Sequence, residues 1–271
     1  MDVAAKRMAY PHRTAMWRDC AATLRLWRLV GSLAWMDIRL RYRGSWLGPF
    51  WLSLSTAIMV AALGALYPIL FRLPAADYVP YLAVSLILWN ALVQLVNEAC
   101  IVFVQQEAMI LSIRLPLCVH VARVLVRNLL ALAHHAVVLI PVFLMFGIHP
   151  GAQLWTVLPG LALWIADGFV LVLVLGALGA RFRDIPPIMA STMQLAFFIT
   201  PVIWRADQLG ADTAWLPANP LFAMMEILRA PLLGTPPSPW AWTVALAMSL
   251  LAALLGAIVF TRASRRLAFW L

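Results

Sequence analysis

Charged residues are scarce in this chain. Only 11% of its 271 residues are Asp, Glu, Lys or Arg, whereas a typical soluble domain carries roughly 25%. The apolar share is 64% and the mean hydropathy is +0.90, so most side chains face something other than water. A soluble globular protein is therefore excluded. Several uninterrupted apolar stretches reach the roughly 20 helical residues needed to cross a hydrocarbon core, which predicts an all-α integral membrane protein.

Lysine is nearly absent, because Lys6 is the only one in the chain. A P-loop places a lysine on the terminal phosphates within the pattern GxxxxGK[ST], and no such pattern occurs here. Any ATP-driven work must therefore come from a separate chain. We expect no cofactor on this chain; if the protein works with ATP, a partner ATPase must bind the nucleotide and its magnesium.

Cysteine is also rare, and Cys20, Cys100 and Cys118 show no CxxC spacing. Neither a disulfide framework nor a zinc site is expected. The first 49 residues are rich in arginine and lack the clean apolar core of a cleavable signal peptide. We expect the first membrane helix to act as its own insertion signal.

Six membrane spans are predicted from the apolar runs, with boundaries uncertain by about four residues. They are Phe50–Phe71, Val79–Val104, Ala122–Phe146, Leu154–Ala180, Ile188–Trp204 and Trp240–Thr261. We assign residues 50–261 to one six-helix transmembrane domain, followed by a cytoplasmic tail over residues 262–271.

The basic residues predict the orientation. If both termini are cytoplasmic, 17 of the 20 Lys and Arg residues lie inside, and only Arg72, Arg205 and Arg229 lie outside. This distribution follows the positive-inside bias of membrane proteins. The net charge of +9 is therefore explained without a nucleic-acid partner.

Residues 21–49 predict an amphipathic helix in the cytoplasmic headgroup plane, after a basic extension over residues 1–20. Apolar residues recur at helical spacing opposite an arginine-rich face, namely Leu24, Trp27, Val30, Ala34 and Ile38. Such a helix is a membrane anchor, a platform for a cytoplasmic partner, or both.

A short apolar helix is predicted on the outer side, within residues 205–239. Asn219 is a good helix cap, Pro220 suits the first helical position, and Gly234 ends the segment. The helix carries Glu226 and Arg229 and is too short to span, so it lies in the interface or re-enters the membrane.

Four ionisable residues fall inside the predicted spans: Glu98, His134, His135 and Asp167. A proton relay, a metal site or a membrane-embedded transferase is conceivable for the last three. The favoured interpretation is hydrogen bonding between neighbouring helices, because no third metal ligand has convincing spacing. For Glu98 we expect an ion pair with Arg123 or Arg127.

Most of the 13 tryptophans suit an aromatic belt at the membrane interfaces. Trp89 and Trp164 are exceptions, about ten residues into their spans, and face lipid, a packed core or a sugar-conducting channel. The candidate channel-lining residues are Trp89, Trp164, Phe197, Phe198 and Trp204.

Three blocks resemble ABC-2-type permeases that export polysaccharide. The run DIRLRYR over Asp37–Arg43, followed by SWLGPFW, is similar to the entry to that family's first span. The run RFRDIP from Arg181, leading to FITPVIW ending at Trp204, resembles its fourth-to-fifth-span region. Asn219-Pro220 with Glu226 and Arg229 resembles its outer helix before the last span.

The resemblance implies a homodimer around a central pathway, with two copies of a separate ATPase below, in the bacterial inner membrane among its lipids. Residues 105–119 would be the loop that couples to the ATPase, through Glu107, Arg114, Leu115 and Pro116. Residues 205–239 would form an outer gate with Asn219, Pro220, Glu226 and Arg229 as candidates.

The resemblance also implies the cargo. A lipid-linked polysaccharide is expected, O-antigen first, with capsule, teichoic acid and drug or lipid exporters as alternatives. Arg39, Arg41 and Arg43 would hold the interface helix against anionic lipid or a diphosphate-linked substrate, or serve topology alone. Residues 1–20 have no counterpart in the family.

Overall fold

The computed structural model describes residues 16–46, 48, 50–208 and 215–271, and within these ranges it contains helices and no strand. The α-helices are α1 (Met16–Arg25), α2 (Trp27–Arg41), α3 (Phe50–Phe71), α4 (Ala75–Gln105), α5 (Glu107–Ser112), α6 (Leu117–Ala136), α7 (Leu139–Phe146), α8 (Val157–Arg181), α9 (Ile185–Ile199), α10 (Pro220–Leu232) and α11 (Pro239–Trp270). Short 3₁₀ turns at Ala152–Thr156 and Leu216–Ala218 precede α8 and α10.

Five helical segments in the described ranges are long and apolar enough to cross a membrane. They are Ser53–Phe71, Ala75–Gln105, Leu117–Phe146, Ala152–Arg181 and Pro239–Ser264. The all-helical membrane class is therefore confirmed. The count of six is not, because α9 has 15 residues and rises only about 22 Å, short of the roughly 30 Å hydrocarbon core.

Helix α9 ends early for a local reason. Thr200 precedes Pro201, and a residue before proline is pushed out of the α region. Thr200 is extended, with φ −86° and ψ 138°, and the chain continues without regular helix to Trp204. The predicted span Ile188–Trp204 is therefore part helix and part turn.

Helix α4 forms the centre of the bundle, because 83% of its most apolar window is buried, against 17% for α3 and for α11. It packs against α8 through two small residues, Gly176 and Gly179. A methyl group at Gly179 would lie 1.8 Å from the carbonyl oxygen of Cys100, so only glycine permits this approach. Helices α3 and α11 turn apolar side chains outward, as lipid contact requires.

The N-terminal segment forms two helices that pack on α6. The carboxylate of Asp19 accepts a hydrogen bond from the backbone N–H of Cys118 at 2.8 Å, so α1 caps the first turn of α6. The thiols of Cys20 and Cys118 lie 3.4 Å apart, within hydrogen-bond distance, and form no disulfide. Residues 16–20 thus share a helix with residues predicted to start the interface segment, while residues 1–15 lie outside the described ranges.

The predicted apolar stripe divides into two parts. Val30, Ala34 and Ile38 are buried within the protein, and α2 packs against α6. Leu24 and Trp27 instead remain exposed. The placement of this segment in the headgroup plane stays a prediction, because periodicity identifies an apolar face without identifying what covers it.

Candidate functional site

A carboxylate on α4 contacts arginines from two other helices, at the end of the bundle that the arginine distribution predicts to face the cytoplasm. Glu98 accepts hydrogen bonds from Arg127 at 2.7 Å and from Arg41 at 2.6 Å. Asn128 on α6 donates a further bond to the Glu98 carboxylate at 2.7 Å. The predicted ion pair of Glu98 with Arg127 is confirmed, and Arg41 joins it from α2.

Asp37 on α2 is the second carboxylate of this cluster. Arg123 makes a bidentate interaction with Asp37, donating from two guanidinium nitrogens to the two carboxylate oxygens at 2.8 Å and 2.5 Å. Arg127 donates a third hydrogen bond to this carboxylate at 2.8 Å. Burial by itself disfavours the charged form of Asp37, but the two guanidinium groups outweigh that effect and hold its pKa below the usual value.

We call Asp37, Arg41, Glu98, Arg123 and Arg127 the inner charged network. Arg127 joins its two carboxylates, and its side chain is only 10% exposed. Three guanidinium groups face two carboxylates, so the network carries one net positive charge. Buried ion pairs of this kind hold neighbouring elements in one relative position, since separating them leaves charges unpaired in a poorly solvated site.

The network continues to the segment expected to couple to an ATPase. The side-chain oxygen of Gln106 lies 2.7 Å from Nδ1 of His120 and 3.4 Å from a guanidinium nitrogen of Arg123. Gln106 is the residue between α4 and the short helix α5. Helices α2, α4 and α6 are therefore joined through polar side chains to the start of α5.

The coupling candidates lie on and after α5. Glu107 begins the helix and is half-buried, Arg114 is exposed, and Leu115 and Pro116 are half-buried before α6. Ile110 is buried and fixes α5 to the bundle. The ATPase-contacting role of these residues stays a prediction.

The three arginines predicted to act together on the interface helix have different surroundings. Arg41 belongs to the inner charged network, whereas Arg39 and Arg43 are exposed and form no ion pair with any residue in the described ranges. Sequence alone could not separate them, because Glu98, the partner of Arg41, lies 57 residues away in the chain.

The ionisable residues of the membrane interior form local hydrogen bonds. The carboxylate of Asp167 accepts from Ser249 on α11 at 2.6 Å, and Nδ1 of His135 lies 2.9 Å from the hydroxyl of Thr56 on α3. His134 bonds Leu130 in its own helix. Among the described residues no three potential ligands group as a metal site. The predicted helix-to-helix hydrogen bonds are thus confirmed for Asp167 and His135.

Four of the five channel candidates lie together, between α4 and the α9 end. The rings of Trp89 and Phe197 are 5.7 Å apart, those of Phe197 and Phe198 are 5.4 Å apart, and the Trp204 indole donates to the Phe198 carbonyl at 3.0 Å. Trp89 and Trp164 are buried within the subunit, whereas Phe198 is exposed. Their role as channel lining stays a prediction.

The outer helix forms as its sequence predicts. Asn219 caps α10 by accepting from the backbone N–H groups of Leu221 and Phe222, Pro220 is the first helical residue, and Gly234 takes a positive φ of 79°. A role in gating is not tested by this geometry. Residues 209–214 of the predicted gate segment lie outside the described ranges.

Arg229 ties α10 to the rest of the bundle. It is buried and donates to Glu226 at 2.5 Å, to Ser85 on α4 at 3.1 Å and to the Pro201 carbonyl at 2.7 Å. Its guanidinium also lies 4.4 Å from the ring centre of Tyr81. The sequence places Glu226 and Arg229 on one helix. Its local patterns do not reveal the distant partners of Arg229, which are Ser85 on α4 and the Pro201 carbonyl.

This bundle of apolar helices, with a charged network joining its inner ends, defines a multi-pass membrane protein. The profile of the ABC-2 type transporter family matches residues 28–233, and the chain belongs to that family. The resemblance seen in the sequence is confirmed. The family is a membrane transport subunit of the inner membrane rather than an enzyme, and it implies partnership with an ABC ATPase.

Two relatives are named for polysaccharide export. The chain is 26% identical over 209 residues to the O-antigen export system permease protein RfbA of Myxococcus xanthus, covering 74% of this chain and 79% of the relative. It is 21% identical over 195 residues to the protein of the same name from Klebsiella pneumoniae, covering 70% and 74%.

Proposed function

We propose that this chain is the permease subunit of an ATP-driven exporter that moves a lipid-linked polysaccharide, O-antigen, across the inner membrane. Two copies of the chain would form the pathway above two copies of an ABC ATPase. The observation that supports the mechanism is the inner charged network, because it connects α5, which would face the ATPase, to the helices of the bundle. The similarity to the O-antigen permeases supports the cargo.

The power stroke would enter through α5. Closure of the ATPases would displace α5, and Gln106 would transmit that displacement to Arg123 and His120 on α6. The inner charged network would then move α2, α4 and α6 as one unit. The two subunits would shift against each other and open a route between their first and fifth spans, and the chain itself would change no covalent bond.

The fifth predicted span would still cross the membrane, as α9 followed by a series of turns to Trp204. Backbone outside a helix is tolerated at membrane depth only where its polar groups bond within the protein. Tyr81 donates to the carbonyls of Pro201 and Trp204, and Tyr78 donates to the carbonyl of Ile203. Helix α9 alone rises only about 22 Å, so the turns after it would complete the crossing of the roughly 30 Å hydrocarbon core.

With six crossings, both termini lie in the cytoplasm and α10 lies outside, over the exit. The Arg229 contacts with Ser85 and Pro201 would then join the outer gate to α4 and to the end of α9. Movement of α4 at the inner side would consequently reach the gate through one continuous helix.

Deletion of the gene in its native strain tests the cargo. We expect surface polysaccharide to disappear and a lipid-linked polysaccharide to accumulate on the inner side, where mass spectrometry identifies sugar and lipid together. Restoring the wild-type chain should reverse both changes. Unchanged surface polysaccharide with a different accumulating compound would overturn the assignment, and the identity of that compound would separate capsule, teichoic acid and drug export.

A further inference from the structure

Three arginines line one cavity at the inner ends of α8 and α11. Arg181 is the last residue of α8, and Arg262 and Arg266 lie one helical turn apart on α11. The cavity has a volume of about 330 Å³. Its position is separate from the inner charged network, since neither Asp37 nor Glu98 reaches it.

The positive charge of this cavity is not neutralised by the protein. Within the described ranges, Arg181, Arg262 and Arg266 form no ion pair, and no Asp or Glu lines the cavity. The inner charged network shows the contrary arrangement, because each of its arginines faces a carboxylate. Three guanidinium groups around one space repel one another until an anion joins them.

The guanidinium of Arg181 is held in place by aromatic rings. It lies 4.9 Å from the ring centre of Phe182 and 5.7 Å from that of Trp270. Stacking of this kind restricts the side chain without using its N–H groups, so these remain free to donate to a ligand. Positive-inside topology needs arginine near a helix end but needs neither a shared cavity nor an aromatic wall.

The cavity is apolar where it approaches the membrane. Leu178 and Val259 line it beside the arginines, and the α11 surface above exposes further apolar side chains such as Leu254 and Ile258. Only 17% of the most apolar window of α11 is buried within the subunit. A ligand with an anionic head at the arginines and an acyl or prenyl tail along α11 fits both parts.

We propose that this cavity binds the phosphate headgroup of a lipid in the inner leaflet. Arginine is suited to the task because its planar donors match phosphate oxygens in pairs. An anionic phospholipid and the diphosphate of a lipid-linked substrate share this chemistry. The proposed lipid site does not depend on which cargo the protein exports.

Lipid binding to the purified permease–ATPase complex in detergent tests the proposal. Native mass spectrometry would titrate four probes: phosphatidylglycerol, phosphatidylcholine, undecaprenyl diphosphate and inorganic diphosphate. We expect saturable binding of one or both anionic lipids, with phosphatidylcholine weaker. Arg262→Ala combined with Arg266→Ala should weaken that binding on the order of thirtyfold. Each arginine near an anionic membrane surface contributes roughly fivefold to the affinity, and the two factors multiply.

Two controls make the result specific. Arg183→Ala removes an exposed inner-face arginine outside the cavity and should leave lipid affinity unchanged. Arg262→Lys with Arg266→Lys keeps the charge but loses the paired planar donors, so it should bind the anionic lipid more weakly than wild type and more tightly than the alanine variant. This variant covers the case in which the alanine variant fails to fold, because wild-type affinity in it would contradict the proposed recognition. ATPase co-purification and gel filtration report folding.

The results of the lipid titration identify the bound lipid or contradict the proposal. Tighter binding of phosphatidylglycerol assigns the cavity to bulk phospholipid, and tighter binding of undecaprenyl diphosphate assigns it to a lipid-linked substrate. Equal lipid affinity in the double alanine variant overturns the proposal. So does an equal loss in Arg183→Ala, which would indicate general surface charge, or binding of inorganic diphosphate without any lipid.

Discussion

Arg127 is the residue on which the inner charged network depends, since it alone bonds both carboxylates. Its side chain and those of Asp37 and Glu98 are each 13% exposed or less. At such burial, an unpaired charge costs far more than a surface ion pair contributes. The other arginines of the network each serve one carboxylate.

Replacing Arg127 with alanine should destabilise the protein by about 3 kcal/mol, the lower end for a broken buried pair, because Asp37 and Glu98 each keep another arginine. Arg127→Lys should give a smaller loss, since one ammonium group cannot reach both carboxylates in the same geometry. Thermal unfolding of the detergent-solubilised complex measures both. A wild-type midpoint for Arg127→Ala would show that the network is dispensable for stability.

Arg41 and Arg39 offer a matched pair on one helix. Arg41 bonds Glu98 at 2.6 Å, whereas Arg39 is exposed and bonds no carboxylate in the described part of the chain. Arg41→Ala should therefore lower stability by less than about 1 kcal/mol, because its side chain is 41% exposed and solvent screens the pair. Arg39→Ala should have no measurable effect. Equal losses in the two variants would contradict the assigned geometry.

The lowered pKa of Asp37 predicts an acid-dependent loss of stability. The unfolded chain has an aspartate pKa of about 3.9, so the stabilisation is complete above that pH and is lost as the pH falls through the lower folded value. Asp37→Asn should be less stable than wild type at pH 7, and the difference should shrink below about pH 4. Unfolding midpoints measured from pH 7 to pH 3 test this, and a constant difference would refute it.

At the scale of elements, the bundle is built on the contact between α4 and α8. Gly176 and Gly179 allow the two helix backbones to meet, and the apolar residues around them complete the core. Helices α3 and α11 also meet a neighbour closely, at Gly64 and Gly256, but most of their apolar surface remains open to lipid. Because of the contact between α4 and α8, α4 is the most buried of the membrane-length helices in the described ranges.

Gly179→Ala should disrupt this contact. The added methyl group would lie 1.8 Å from a backbone oxygen of Cys100, which cannot move as a flexible side chain can, so we expect a loss of at least about 3 kcal/mol. Gly31→Ala on α2 is the control, because nothing lies within 4 Å, and it should be neutral or gain up to about 1 kcal/mol. The yield of monodisperse protein and its unfolding midpoint report the outcome.

The short helix α5 and the residues after it are predicted to contact the ATPase. Replacing Glu107 and Arg114 together with alanine should reduce the amount of ATPase that co-purifies with the permease, since both residues lie in the segment expected to contact it. Arg183→Ala with Asp184→Ala makes the same change of charge on another inner loop and should retain the ATPase. Undiminished co-purification in the Glu107 and Arg114 variant would show that the contact lies elsewhere.

At the scale of the whole molecule, the number of crossings determines which loops face the cell exterior. Five long helices would place the termini on opposite sides, and six crossings place them on the same side. The arginine distribution favours six, because only Arg72, Arg205 and Arg229 would then lie outside.

Single cysteines on either side of α9 test this topology in a variant whose native cysteines are replaced by alanine. Pro236→Cys should react with an impermeant maleimide in intact cells, and Arg183→Cys should react only after lysis, since both positions are exposed and α9 lies between them. Labelling of both from the same side would show that α9 does not cross.

The sequence by itself determined the membrane class, the missing P-loop and the capped helix α10, because composition and spacing along the chain specify each of these, and the resemblance of three blocks indicated the family. It did not determine the contacts between helices. Arg39 and Arg41 read alike in the sequence, and the stripe from Leu24 to Ile38 reads as one surface.

Only the tertiary structure decided which of these residues meet a partner. Arg41 finds Glu98, Val30 and Ile38 pack inside the protein, and Arg181 comes beside Trp270. The physical reason is that helical periodicity defines which side chains share a face, whereas the neighbour of that face comes from a distant part of the chain. Packing among similar apolar helices selects that neighbour.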